Sequence, residues 1–400
     1  MSILTNFEIL LQDYDIGEII DRERPIQQFK ELLINPLIRE EVANSVYVYG
    51  PPGTGKTYVI KKILEQNIEL IKKHFPTFRF LWLNCKAEKT VYVTLTHMAK
   101  NLEEFLPIEN IKSIPLKGLD YGVLFNDIIK KIVEKERLEF LIVLDEIDEI
   151  IYRDGDTFLY DLIYANQFLS KGHIYIVGIS NDPNLENIFS LGVKDRLRYL
   201  KIHFPKYNAQ ELYQILDVFA KKALKPDSYK KSDLAKIASY VASVSGSARE
   251  SKRILYFLAK NSESKLDISK LESAIEESEK LMFEKDIEQL PFHQQLIFFS
   301  IIKTYEFFEK SMQSSTGLKR FIYNYPTTGK VYEAYKEICK KFGETPRSQT
   351  TFKYMLKDLD RNGLIDIDIR SLGRRGLTSI IKPTKPIDIF KPIIKRVLGI

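Results

Sequence analysis

The stretch that most constrains this chain is residues 50–57, Gly-Pro-Pro-Gly-Thr-Gly-Lys-Thr. It fills the pattern G-x-x-x-x-G-K-[ST], and its flanks fit as well as its letters. Val46-Tyr47-Val48-Tyr49 ahead of it reads as a buried strand, and Tyr58 to Leu64 behind it carries apolar residues at helical spacing. Strand, glycine-rich loop and helix together form the phosphate-binding turn of an α/β sheet. The residues expected to contact nucleotide are Gly50, Pro51, Pro52, Gly53, Thr54, Gly55, Lys56, Thr57 and Tyr58. The glycines let backbone approach phosphate closely, and the helix N-terminus presents unpaired N–H groups. Lys56 is expected to neutralise the β- and γ-phosphates, and the Thr57 hydroxyl to ligate Mg²⁺. ATP or ADP with Mg²⁺ is therefore the expected ligand.

Composition narrows the setting. A chain of 400 residues has room for two or three domains, and its 44% apolar content supports buried cores. No apolar run approaches the ~18 residues that cross a bilayer, and residues 1–20 carry acids rather than a basic start. Two cysteines and five histidines suggest neither a zinc cluster nor a disulfide framework. A cytoplasmic, nucleoid-associated protein with no membrane partner is expected. The charge is uneven. From residue 286 onward there are 20 Lys and Arg against 12 Asp and Glu, a surplus of +8, which leaves −2 for residues 1–285. A near-neutral nucleotide domain joined to a basic tail points the tail toward a polyanion.

Residues 14–40 contain Asp21-Arg22-Glu23, then Ile26, Phe29, Leu32 and Leu33 at helical spacing, a helix whose apolar side could cover an adenine ring. Phe78 to Asn84 reads as a strand and residues 92–105 as a helix. Residues 107–121 interrupt this pattern with two prolines, a glycine and two lysines. Such an insertion suggests a functional loop, and makes Lys112 and Lys117 candidate DNA contacts.

Two further strands end in chemistry. Phe140 to Asp148, FLIVLDEID, is a fully buried strand followed by carboxylates at its carboxyl end, where open α/β sheets bind ligands. Asp145 suits a Mg²⁺ contact and Glu146 suits the general base or the polariser of an attacking water. Ile174 to Asp182, IYIVGISND, repeats the arrangement, and Asn181 is placed to hold that water beside the γ-phosphate.

The last third reads as a helix from His293 to Phe308, a helix from Val331 to Phe342, and a helix over residues 348–361 capped by Ser348. In the third, Phe352, Met355, Leu356 and Leu359 form one buried stripe, while Gln349, Thr350, Lys353 and Lys357 lie opposite. Alternating residues 364–369 and 377–381 then flank Gly373-Arg374-Arg375-Gly376, a hairpin with two arginines at its tip. Helices plus basic hairpin make a winged helix-turn-helix. Its recognition helix is expected in the major groove, with Arg374 and Arg375 on phosphate or in the minor groove.

The P-loop at 50–57, Asp145-Glu146-Ile147-Asp148, Asn181, and Gly246-Ser247-Ala248-Arg249 together resemble an AAA+ ATPase. More narrowly they resemble the archaeal origin recognition / cell division control protein 6 initiators. Asp21-Arg22-Glu23, Phe204-Pro205 with Tyr207-Asn208-Ala209, and Leu290-Pro291 with His293 also match. The resemblance implies an AAA+ module over residues 1–205, a doubly wound parallel sheet. A helical lid over 206–285 and a winged-helix domain over 286–400 would follow it. It implies Asn181 as sensor 1 and Arg249 as sensor 2, reaching the γ-phosphate from the lid. It further implies ATP-regulated binding of double-stranded origin DNA, paralogous initiator partners, and recruitment or loading of the replicative helicase. One position departs: Gly192 falls where the family carries an arginine finger, with Lys194 and Arg196 as the nearby substitutes. A signalling P-loop ATPase with a winged helix, and a nucleotide-binding transcription regulator, remain alternatives.

Overall fold

The computed structural model describes residues 3–11, 17, 19–88, 90–102, 120–197, 200–313, 326–371 and 377–400. They divide into two compact units, Met1–Leu271 and Glu272–Ile400.

In the first unit five parallel strands form one sheet: β1 (Val46–Tyr49), β2 (Phe78–Asn84), β3 (Glu139–Asp145), β4 (His173–Ser180) and β5 (Lys201–His203). Their order is β2-β3-β4-β1-β5. Every residue of β3 is buried, as a continuous apolar run requires when helices cover both faces of a parallel sheet. Alternation divides that strand between two layers. Phe140, Ile142 and Leu144 join Leu95, Met98, Ile129 and Leu162 on one side, whereas Leu141 and Val143 join Phe29, Leu33, Ile60 and Ile63 on the other.

The register decides where chemistry can gather. Asp145 pairs with Asn84 of β2 and Ile179 of β4, and Tyr49 pairs with Ser180 and His203. The carboxyl ends of all five strands therefore lie along one edge. The chain leaves β1 for the far strand β2, returns through β3 and β4, and then crosses β1 to reach β5. That reversal makes the β1 end a topological switch point, where such sheets bind ligands.

The sheet is followed by helices Ala209–Ala223, Lys231–Val244 and Ala248–Lys260. Leu212, Ile215, Leu216 and Phe219 of the first and Ile254, Leu255 and Leu258 of the third are buried, as their spacing predicts. The Asn208 carboxamide accepts from the Gln210 and Glu211 N–H groups, and Glu211 accepts from the Asn208 N–H, closing a capping box. The lid expected over 206–285 is divided here. The helix Leu271–Gln289 sends Phe283 and Ile287 into the core of the second unit, so residues 272–285 belong with that unit.

The second unit contains helices Phe292–Gln313, Thr328–Lys341 and Gln349–Arg361. Strands β6 (Ile365–Ser371) and β7 (Leu377–Pro383) pair antiparallel, and an isolated bridge joins Thr327 to Ile380. This is the winged helix-turn-helix expected from the sequence. A further helix with no counterpart among those expectations, Ile387–Leu398, completes the unit. Its Phe390 is fully buried, with ring edges against Phe283 at 5.0 Å and Phe298 at 5.1 Å. Replacing Phe390 with Ala is expected to cost about 3–5 kcal/mol, as for other buried phenylalanines. Denaturant unfolding of the full chain checks this, and a destabilisation below ~1 kcal/mol would show the last helix to be peripheral to that core.

Candidate functional site

The helix Lys56–His74 starts directly at the end of the glycine-rich loop, so its first turn carries Lys56 and Thr57. The Lys56 ammonium is buried and donates to the carbonyls of Gly50 and Pro51, each at 2.8 Å. The Thr54 hydroxyl donates to the Pro51 carbonyl at 2.9 Å, tightening the same turn. Gly53 and Gly55 both have positive φ, at 76° and 86°. A Cβ at Gly53 would come within 1.9 Å of Ser247 Oγ, and one at Gly55 within 2.7 Å of the Tyr207 hydroxyl. Only glycine fits at either place.

Across the strand ends, the Thr57 hydroxyl donates to Asp145 Oδ1 at 3.2 Å. The same oxygen accepts the Glu146 N–H at 3.1 Å. Glu146 stands in the left-handed region at φ 54°, a strained conformation for a residue with a side chain. The Ile147 N–H holds the turn by donating to the Ile179 carbonyl at 3.0 Å. The Asn181 side chain donates to Glu146 Oε1 at 3.4 Å, and its backbone N–H to Asp148 Oδ1 at 3.2 Å. Asn181, expected to hold a water beside the γ-phosphate, therefore stands next to Glu146, the residue expected to act on that water.

Burial sets the electrostatics. Desolvation pushes Lys56 down to about 8, with nearby Arg249 acting in the same direction and Asp145 opposing it. Desolvation also pushes Asp145 up to about 6, and the hydrogen bond from Thr57 works against that rise.

Lys56, Thr57, Tyr58, Asp145, Glu146, Asn181 and Arg249 all line one cleft of about 550 Å³, the size of a small-molecule site. Arg249 stands in the first turn of the helix Ala248–Lys260, whose N-cap Ser247 accepts the Glu250 N–H. Gly53 and Gly55 also line the cleft, while Gly50, Pro51, Pro52 and Thr54 shape the loop behind it. The apolar end differs from expectation. Phe29 and Leu33 are core residues, and Ile19 and Ile20, ahead of that helix, face the cleft with Ile215 and Phe219. Lys252 lies over the Phe219 ring at 4.5 Å. These residues fall outside any motif, and only the tertiary fold gathers them.

In the second unit the helix Gln349–Arg361 behaves as its pattern predicts. Phe352, Leu356 and Leu359 are buried, Met355 is half-buried against the same core, and Gln349, Thr350, Lys353 and Lys357 are exposed. The Ser348 hydroxyl accepts the Thr351 N–H at 3.3 Å, which caps it. Tyr354, absent from the predicted face, is 64% exposed beside Lys353. Arg374 and Arg375 of the hairpin tip, and Lys112 and Lys117 of the insertion, lie outside the described residues.

Comparison with known proteins follows the same division. A model described as the CDC6 C-terminal winged helix domain matches residues 285–391, and an AAA domain model matches 39–187. ORC1-type DNA replication protein 1 of Sulfurisphaera tokodaii is 31% identical over 381 residues, covering 94% of this chain and 89% of that protein. The chain belongs to the ORC1-type DNA replication protein family. Another member, from Thermococcus kodakarensis, is 29% identical over 385 residues, covering 95% of this chain and 88% of its own. Among solved structures, the Aeropyrum pernix Orc1 protein in complex with DNA aligns with a TM-score of 0.75 at 24% identity, covering 98% of this chain and 97% of that one. Cdc6p from Pyrobaculum aerophilum aligns at 0.57 and 22% identity, covering 100% and 99%. Family membership favours neither the signalling ATPase nor the transcription regulator. In an ORC1-type chain, Lys56→Ala is expected to weaken ATP binding by roughly 100-fold, because the phosphates lose a buried charge-assisted partner. Equilibrium titration with labelled ATP checks this, and parental affinity would place the phosphates elsewhere.

Proposed function

We propose that this protein is an ATP-regulated initiator that binds double-stranded origin DNA, acts beside paralogous initiator subunits, and helps to recruit or load the replicative helicase. The observation that carries the proposal is that one chain of this family joins two parts. One is a cleft holding Lys56, Thr57, Asp145, Glu146, Asn181 and Arg249, and the other is a winged helix with an exposed polar face.

The cleft's donors suit the ligand. Gly53 and Gly55 let the loop backbone pack directly against Ser247 and Tyr207, and Lys56 supplies a buried cation for phosphate. Thr57 and Asp145 offer hard oxygen atoms, the donors that Mg²⁺ takes. A bound Mg²⁺ would neutralise charge developing on the phosphates. Glu146 is the general base toward water, and Asn181 orients it through the hydrogen bond between them. Arg249 enters from the lid helix as the group that distinguishes ATP from ADP. Hydrolysis is expected to be slow, so that nucleotide serves as a switch.

On the DNA side, Gln349, Thr350, Lys353 and Lys357 read the major groove while the wing arginines hold phosphate. Two measurements test the halves separately. Glu146→Gln should retain ATP affinity and reduce turnover by 10²–10⁴-fold in a phosphate-release assay; turnover at the parental rate would remove Glu146 from the role of base. Replacing Arg374 and Arg375 with Ala in the full chain should weaken origin duplex binding. It should also flatten the salt dependence, by a slope of ~1 for each phosphate that is no longer neutralised. Equal affinities and slopes across a salt series would make the winged helix a protein-docking module, with Lys112 and Lys117 then the leading DNA contacts.

A further inference from the structure

We infer that Arg22 is a positioning residue that couples the phosphate-binding loop to the lid, so that what the loop holds is felt at Arg249. The inference rests on the reading of Arg249 as the lid's nucleotide-sensing group. Arg22 is only 4% exposed. A guanidinium at that depth is costly unless its donors are satisfied. Its Nε donates to the Thr54 carbonyl at 3.2 Å, and its two terminal nitrogens donate to the carbonyls of Pro205 at 3.0 Å and Asp21 at 3.1 Å. Its Cζ also lies 3.5 Å from the centroid of the Tyr207 ring, within cation–π range.

These partners come from separate parts of the first unit. Thr54 is the centre of the phosphate-binding loop, whereas Pro205 and Tyr207 form the stretch between β5 and the first lid helix. Beyond Arg22 the connections continue. The Tyr207 N–H donates to the Gly246 carbonyl at 3.1 Å, and two residues further on the Ala248 N–H donates to the Gly53 carbonyl at 3.0 Å. The hydrogen bonds therefore close into a ring. It runs from Gly53 and Thr54 through Arg22 to Pro205 and Tyr207, then through Gly246 and Ala248 back to Gly53. Arg249 is the next residue after Ala248. Any shift of the loop backbone about a phosphate moves the Thr54 carbonyl, and Arg22 passes that shift to Tyr207 and hence to the start of Arg249's helix. Asp21 adopts φ 49°, which carries the chain into the turn from which Arg22 points inward.

An arginine is needed for this. A planar fork can bridge two carbonyls while its face lies on a ring, and a lysine ammonium cannot do both. The test uses the full-length protein as parent, Arg22→Lys, Arg22→Ala, and a comparator, Leu162→Ala, in the core against the sheet. Two quantities are read: ATP and ADP affinity, and amide hydrogen exchange of residues 246–258 at saturating ATP and at saturating ADP. Both Arg22 variants should abolish the ATP–ADP difference in lid exchange and bind ATP about 10-fold more weakly, the effect of removing one or two charge-assisted hydrogen bonds. Leu162→Ala should lower the melting temperature and keep both readouts. If Arg22→Ala does not fold, Arg22→Lys carries the comparison alone. A parental ATP–ADP difference that survives in Arg22→Lys overturns the coupling role and leaves the Arg249 reading intact. No difference in the parent itself overturns both.

Discussion

The phosphate-binding loop is shaped from outside as much as by what it binds. A Cβ at Gly53 would strike Ser247, and a Cβ at Gly55 would strike the Tyr207 hydroxyl. Both obstacles lie in segments that lead into lid helices, far along the chain from the loop. The two glycines therefore meet two demands with one backbone, close approach to phosphate and close approach to the lid. The loop's carbonyls are used in the same way. Gly50 and Pro51 hold Lys56, Gly53 accepts from Ala248, and Thr54 accepts from Arg22. A loop so bonded cannot be displaced without disturbing the lid.

Electrostatics supplies the reason such a site binds rather than merely stands. Lys56 and Asp145 are both withdrawn from water, and burial moves each toward its neutral form, Lys56 to about 8 and Asp145 to about 6. Each charge partly offsets the cost of the other, as the opposing Coulomb contributions show. Near neutral pH both remain charged, yet neither recovers its full hydration. Polyphosphate beside Lys56 and a divalent cation beside Asp145 would each restore part of what burial removed. Buried charges of opposite sign within one cleft would suit a nucleotide carrying a divalent cation.

What the sequence makes legible here is local chemistry at fixed spacing. The eight-residue loop between strand and helix, the apolar strand ending at Asp145, and the stripe of Phe352, Met355, Leu356 and Leu359 are each local patterns of about a dozen residues, and the structure forms all three elements, with Met355 the one half-buried member of the stripe. Arg22 is visible in the sequence only as part of a motif, because its work depends on Thr54 and on Pro205, which is 183 residues away. Phe29 and Leu33 show the limit of helical periodicity. Helical period says that one face is buried without saying by what, and here it is buried by the sheet, not by a base. Tyr354 is aromatic and so does not stand out among polar residues, although helical phase alone turns it away from Phe352 and Leu356. The boundary near residue 271 is hidden for a related reason. The helix Leu271–Gln289 is continuous, and only the packing of Phe283 and Ile287 assigns it to the second unit.

Gly192, where the family resemblance implies an arginine finger, is a packed position. It sits in the helix Leu191–Leu197, and a Cβ there would come within 2.7 Å of the Tyr160 ring. Tyr160 in turn stacks on Tyr164 with centroids 4.2 Å apart. A side chain at residue 192 would require the Tyr160 ring, which is 39% exposed, to shift. The nearby cations are held by local partners. Lys194 donates to the Asn187 carbonyl at 3.2 Å, and Arg196 lies 5.9 Å from the Tyr164 ring centroid. Both side chains are exposed, so turning either outward would forfeit only one such interaction, on the order of 1 kcal/mol. An arginine at 192 would first have to move the Tyr160 ring aside. If a cation from this helix serves a neighbouring subunit's nucleotide, Lys194 and Arg196 are the exposed side chains already present to do so.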